Sequence, residues 1–240
     1  MLSKNEAKYI QSLSRKKQRQ EERLFIAEGV KLGDELLRSD YRLRKIYATA
    51  DWIAEHPGVE ATELSDDELA RISNLPAANQ VLIVAEQYLP FKAPQLAGQL
   101  SLVLDGIQDP GNFGTMIRIA DWFGIREIIA GDDTVELYNP KVVQATMGSF
   151  TRVNVHYMSL QPLLAANELP VYGAVLDGKS IYGTAPAGEG LLLIGNEGKG
   201  ISEALLPFIT YPVTIPRIGG AESLNAAVAA GIIVAQLKRS

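Results

Sequence analysis

From Leu100 onward, short apolar runs alternate with stretches of helical spacing, and no other feature of the sequence limits the possible folds so strongly. Ser101–Leu104, Arg126–Ala130, Val171–Leu176, Leu191–Ile194 and Val213–Ile215 read as strands, with a further strand near Val153. Asn112–Phe123 and a final stretch from about Ser223 to Leu237 read as helices, and Asn139-Pro140 reads as an N-cap followed by Pro at the first helical position. This alternation predicts an α/β fold with a mainly parallel sheet flanked by helices. Ligands of such sheets sit beyond the carboxyl ends of the strands. Three loops rich in Gly and polar residues fit that position: Asp105–Gly114, Gly195–Gly200 and Pro216–Glu222.

The first ninety residues carry a weaker version of the pattern. Glu28–Leu37 has helical spacing, Leu43–Ala48, Val59–Leu64 and Val81–Ala85 read as strands, and Ser65–Glu68 forms a capping box that opens a helix reaching about Ser73. The period breaks between Glu86 and Gln99, around Pro90 and Pro94. The reading is a small α/β domain over 1–90, a linker over 91–99 and a larger domain over 100–240.

Residue types narrow the chemistry. There is no Cys and only two His, His56 and His156, which excludes a Cys/His metal centre and a thiol nucleophile. The longest apolar run, Ala226–Ala235, is about half of the roughly 20 residues that span a bilayer, and the N-terminus lacks the features of a signal peptide. No membrane segment, no metal and a cytoplasmic location are expected. That run is apolar on all sides, which predicts a helix buried all round.

The net charge of −5 conceals an asymmetry. Residues 1–45 hold 12 Lys and Arg against 7 Asp and Glu, a net of +5, whereas residues 46–240 hold 11 against 21, a net of −10. The basic residues are densest at Arg15, Lys16, Lys17 and Arg19. This run reads either as a solvated helix face or as a local phosphate-binding patch, since only charges within about 10 Å act on a bound backbone.

Two motifs fail in context. Gly173–Ser180 fits G-x-x-x-x-G-K-[ST], but its interior is the apolar stretch of a strand and Ile181–Pro186 does not open a helix, so the phosphates would find no helix N-terminus. Asp105–Gly114 contains Gly106, Gly111 and Gly114 without the dinucleotide spacing G-x-G-x-x-G.

Three segments together, Leu104–Arg118 with its N-x-G-x-x-x-R core, Leu193–Ile201, and Ile215–Asn225, resemble the SpoU family of RNA ribose methyltransferases within the SPOUT class. The N-terminal part, with Phe25–Gly29 ahead of a helix, is similar to the ribosomal-protein-like substrate-binding domain that many members carry. Arg217 stands where the family more often has Met, and Ala226-Ala227 replaces a Val-Ser pair. The resemblance implies S-adenosylmethionine as methyl donor, a ribose 2′-hydroxyl of structured RNA as acceptor, a C-terminal trefoil knot, and a homodimer with the active site near the subunit interface. Ribosomal RNA is the first expectation and transfer RNA the second; an inactive RNA-binding or assembly module is the alternative.

Carried onto this sequence, the resemblance makes Arg118, Asn112, Glu197 and Asn225 the catalytic set. Arg118 projects about 140° from Phe113 on the predicted helix, where it is either a solvated cation or the group that polarises the hydroxyl or holds a phosphate. Asn112 caps its helix, orients Arg118 or the RNA, or does both. Glu197 is either an ordinary exposed loop carboxylate or, as the resemblance implies, a residue that orders the loops, with pairing to Arg118 before RNA arrives as one way to do so. Ser223 and Asn225 either cap the last helix and nothing more or border the cofactor and acceptor site. Ile194, Gly195, Asn196, Gly198, Gly200, Ile215, Gly219, Ser223 and Leu224 are implied to border the cofactor. For Gly195, Gly198, Gly200 and Gly219 the alternative is a turn that needs positive φ.

Overall fold

The computed structural model describes residues 2–88 and 92–239. They divide into two compact units, one within Met1–Leu89 and Glu136–Thr151, the other within Pro90–Val135 and Arg152–Ser240. Pro90 and the first linker residue, Phe91, lie outside the described residues.

The N-terminal unit runs α1 (Lys4–Ser12), α2 (Lys16–Glu22), β1 (Leu24–Glu28), α3 (Val30–Leu37), β2 (Leu43–Ala48), α4 (Ala50–Glu55), β3 (Thr62–Glu63), α5 (Asp66–Ala70) and β4 (Val81–Glu86). Its sheet order is β1-β4-β2-β3, with β4 antiparallel to both neighbours and β2 parallel to β3. The capping box forms as expected: the Ser65 hydroxyl accepts from the Glu68 amide and the Glu68 carboxylate from the Ser65 amide. The strand expected over Val59–Leu64 shrinks to two paired residues, since the Pro57-Gly58 turn, with Gly58 at φ 93°, delivers the chain to the sheet only at Thr62. Ala7, Ile10 and Leu13 from the helical N-terminus pack on Tyr47, Leu82 and Val84 of the sheet.

The second unit contains β5 (Leu100–Asp105), α6 (Pro110–Trp122), β6 (Glu127–Ala130), β7 (Asn154–Tyr157), α8 (Leu160–Ala165), β8 (Val171–Ser180), β9 (Gly190–Gly195), β10 (Tyr211–Thr214) and α9 (Ala226–Leu237); α7 (Pro140–Thr146) falls between β6 and β7 in sequence but belongs to the first unit. Its six strands are all parallel, in the order β10-β8-β9-β5-β6-β7. β5, β6 and β9 are buried along almost their whole length, as strands covered on both faces must be.

The segment Glu136–Thr151 interrupts the second unit in sequence but packs with the first. α7 lies on β1, and Tyr138 and Phe150 join Phe25 and Tyr41 in one aromatic cluster with ring separations of 4.6–6.5 Å. Arg19 completes this attachment. It is 1% exposed, donates to the carbonyls of Leu13 and Ser14 at 2.8 and 2.6 Å, and is paired with Glu136. Burial lowers its pKa to about 10. Arg19, expected among the RNA-contacting cations, is instead an internal tie, and only Arg15, Lys16 and Lys17 of that run are exposed.

α9 also departs from expectation. Ala227, Ala230, Ile233, Val234 and Leu237 are buried, but Val228 is 51% exposed and Ala235 is exposed as well. One stripe packs on α6, β8 and β9, and the Val228 and Ala235 side is left uncovered by the described residues.

Candidate active site

All three Gly-rich loops lie at the carboxyl ends of strands in the second unit, after β5, β9 and β10. The polypeptide closes the second one on itself. Asn196 and Gly200 pair by two backbone hydrogen bonds of 3.0 and 2.9 Å, and the Asn196 Oδ1 accepts from the amides of Gly198 and Lys199. A Cβ on Gly195 would fall 2.1 Å from the Gly200 carbonyl carbon and 2.2 Å from the Ile201 nitrogen, so no other residue fits. Gly200 has φ +71°. Gly198 and Gly219 have neither positive φ nor a tight neighbour, which removes the turn-conformation account for those two.

Asn196 spans two loops. Its Nδ2 donates to the Gly106 carbonyl at 2.7 Å, tying the loop after β9 to the loop after β5. With its backbone and Oδ1 also engaged, Asn196 ties the loops together from within.

The catalytic candidates divide into a connected trio and one isolated cation. Glu197 accepts from Asn112 Nδ2 at 3.0 Å and from the amides of Gln108 and Asp109 at 3.4 and 3.3 Å. Asn225 Nδ2 donates to Asn112 Oδ1 at 2.7 Å, and Asn225 Oδ1 accepts from the amides of Ala227 and Val228 at 2.9 and 3.2 Å. One residue from each loop thus joins a single chain of hydrogen bonds. Its direction is set at both ends: an ionised carboxylate only accepts and helix N–H groups only donate, so each amide between them has one permitted orientation.

Two expectations change here. Asp109, not Asn112, caps α6, accepting from the Asn112 amide at 2.8 Å, with Pro110 at the first helical position. The Asn112 side chain is thereby released to link the other two loops. Glu197 is held by Asn112 and loop amides and not by Arg118, which is exposed and has no hydrogen-bond or ion-pair partner among the described residues. Asp109 escaped the sequence reading, although Asp two residues before Gly-Asn and directly before Pro is a recognisable cap signal.

The third loop is open. Residues 216–225 are exposed throughout, Ser223 and Leu224 included, while Ile215 is half-buried and Ile194 buried. Arg217 Nη1 donates to the Ala221 carbonyl at 3.1 Å across the loop. Gly219 and Gly220 have nothing within 4 Å of a Cβ position and ordinary φ, so contacts within the chain do not require glycine there. The open backbone beside Leu224 and Ile215 suits a ligand that needs amide hydrogen bonds at its base and apolar cover on its face.

The region read as a false phosphate loop is strand β8, as its context indicated. Gly178 lets the backbones of β8 and β10 approach: a Cβ there would lie 2.6 Å from the carbonyl carbon of Val213, whereas at Gly173 it would meet the Ile209 side chain. Among the described residues no group of three or more acidic, His or Cys side chains is placed to hold a metal. No described helix is long and apolar enough to cross a membrane.

A parallel α/β domain whose three strand-end loops are joined by an amide–carboxylate chain, with an unpaired guanidinium on the first helix, defines a small-molecule-binding α/β enzyme domain. Residues 99–235 match the SpoU rRNA methylase family and residues 4–83 the MRM3-like substrate-binding domain. The chain belongs to the SpoU rRNA methylase family.

It is 33% identical over 233 residues, 94% of this chain and 93% of the relative, to the 23S rRNA (guanosine(2553)-2′-O)-methyltransferase of Bacillus subtilis. Among solved structures, a putative RNA methyltransferase of the TrmH family from Porphyromonas gingivalis is 37% identical with TM-score 0.88, covering 99% of this chain and 98% of that one. An AdoMet-bound rRNA methyltransferase from Sinorhizobium meliloti is 28% identical with TM-score 0.87, covering 99% and 96%.

Proposed function

We propose that this protein transfers the methyl group of S-adenosylmethionine to a ribose 2′-hydroxyl of ribosomal RNA in the cytoplasm. The observation that carries the reading is the Glu197–Asn112–Asn225 chain, which brings the three family motifs into one site. Relatives named as 23S rRNA 2′-O-methyltransferases, in Bacillus subtilis and in Coxiella burnetii, support rRNA as the acceptor.

The bound cofactor supplies an electrophilic methyl; the residues of this chain do the rest. Gly198, Gly200 and Gly219 offer backbone, and Ile215 and Leu224 apolar cover, to the adenosyl group, with Ser223 at the edge. A ribose hydroxyl is a weak nucleophile that gains negative charge as its oxygen bonds to the methyl carbon and the carbon–sulfur bond breaks. A fixed cation beside it is more valuable in the transition state than in the ground state. Arg118 is that cation. With a pKa above about 12 a guanidinium does not take up the proton, which leaves to phosphate or water. Asn112 and Asn225, locked by Glu197, hold the loops so that acceptor oxygen, methyl and sulfur align.

Two copies of the chain complete the enzyme in this reading. On α6, Thr115, Arg118 and Trp122 lie along one exposed stripe, and Trp122 is 84% exposed. α9 runs alongside, with Ile119 against Gly231 and the Val228 side exposed. A second copy covering this apolar surface would bring Arg118 to the subunit boundary. The return of the chain from β9 to β10, which pairs with β8, and then to α9 against α6, supports the trefoil knot. The test is to map ribose methylations in rRNA from cells with and without the gene. Loss of one 2′-O-methyl group is expected, and an unchanged map would contradict the reading.

A further inference from the structure

The N-terminal unit carries an electropositive face besides the basic run of α2. Between Leu43 and Lys45 the register of β2 on β4 shifts. Side chains of a regular strand alternate between faces, and a bulge re-aims them; here the consecutive Arg44 and Lys45 are both exposed. Lys45 Nζ sits 5.9 Å from the centroid of the Tyr47 ring, and the Tyr47 hydroxyl donates to Glu6 of α1 at 2.6 Å, so α1 borders this surface.

The neighbouring aromatic on α1, Tyr9, is 41% exposed and donates to Glu22 at 3.3 Å. The Arg44 guanidinium acts on the Tyr9 phenol, opposing the upward push on its pKa from burial and from Glu22. Arg42 and Arg44 share one carboxylate, their Nε atoms lying 3.7 and 2.8 Å from Glu86 Oε1. Two guanidiniums against one carboxylate leave positive charge over, and the exposed Arg23 adds to it next to Leu24, the register partner of Glu86.

We infer that Arg42, Arg44 and Lys45 together with Tyr9 form an RNA-docking face, the cations on phosphates and the Tyr9 ring stacked on an unpaired base. Cations interleaved with a half-exposed aromatic ring are what single-stranded RNA loops require: phosphate contacts give affinity, and every base has a face to stack. An acidic protein surface would use the cations but not the ring. The inference rests on the RNA-methyltransferase reading.

The experiment is filter binding of the full chain to an unmodified 23S rRNA transcript, as a function of salt. Arg44→Gln/Lys45→Gln should weaken binding and reduce the steepness of the log–log salt dependence by about 1.4–1.8, the value for two lost phosphate contacts. Tyr9→Ala should weaken binding by roughly 5- to 150-fold, the equivalent of one lost stack at about 1–3 kcal/mol, whereas Tyr9→Phe, which keeps the ring and loses the Glu22 bond, should bind like the parent. Arg38→Gln, an exposed cation elsewhere on the unit, should leave binding unchanged, and S-adenosylmethionine binding by all variants reports that the fold is intact. A salt slope unaltered in Arg44→Gln/Lys45→Gln, or Tyr9→Phe as defective as Tyr9→Ala, overturns the docking face. Failure of the parent protein to bind the transcript would sink the rRNA reading instead.

Discussion

Asn225 has two separable duties, and one substitution tells them apart. Its Oδ1 caps α9 and its Nδ2 donates to Asn112 at 2.7 Å. In Asn225→Ala both are lost. The missing cap costs about 1 kcal/mol, which for a chain of this size lowers the melting temperature by roughly 2–4 °C. Asn225→Asp keeps an oxygen for the two helix amides and adds a charge favoured at a helix N-terminus by about 0.3–1 kcal/mol, yet it has no proton to give Asn112. Its carboxylate would face the Asn112 Oδ1, an acceptor that cannot turn away because Nδ2 is held by Glu197. A side-chain hydrogen bond contributes about 0.5–1.5 kcal/mol net, and acceptor against acceptor adds a penalty, so methyl transfer should fall about tenfold or more in both variants. The assay pairs thermal unfolding with transfer of labelled methyl to an rRNA transcript. The expected result is an Asp variant of near-parental stability and reduced activity, and an Ala variant reduced in both. An Asp variant with full activity would refute the claim that the amide chain orients the site.

Four further outcomes follow from other parts of the molecule. Gly195→Ala should fail to fold or lose more than about 3 kcal/mol, because a Cβ would overlap backbone atoms of Gly200 and Ile201; a melting temperature near that of the parent would show the loop to be adjustable. Arg19→Ala should destabilise by about 2–4 kcal/mol, through a broken buried ion pair and orphaned carbonyls, without changing the salt slope of RNA binding, which a phosphate contact would change. Hydrogen bonds to the Trp52 carbonyl and to Asp34 raise the pKa of His56 above its ordinary value. Its stabilising contribution is therefore complete below about pH 6.5 and lost as pH rises through the higher folded-state value, and His56→Gln should flatten that part of the stability profile. Trp122→Glu should convert a dimer to monomers in sedimentation; a parent protein already monomeric would remove the dimer from the account.

Much of the second unit was legible because its strands are covered on both faces, so that uninterrupted apolar runs such as Leu191–Ile194 mark them directly. Asn139-Pro140 marked α7 for an equally local reason, and the Asn139 side chain does accept from the Lys141 amide. What the sequence hid is long-range. Nothing near Arg19 announces that its guanidinium is buried against Glu136, and nothing within 136–151 announces that this segment packs with the first unit. The solvent-facing side of α9 was hidden too, because a helix made of Ala, Gly, Ile and Val presents an apolar surface in every direction. At the site, residue types were readable and partnerships were not: Glu197 and Arg118 are opposite charges that look paired, yet backbone amides and an asparagine hold the carboxylate.

The most direct measurement is methyl transfer from labelled S-adenosylmethionine to an unmodified 23S rRNA transcript by the parent protein and by Arg118→Ala, with cofactor affinity followed by calorimetry. The account predicts label on a ribose 2′-oxygen with the parent, none with Arg118→Ala, and nearly equal cofactor affinity in the two. Undiminished transfer by Arg118→Ala, or a parent protein that does not bind the cofactor, would contradict it.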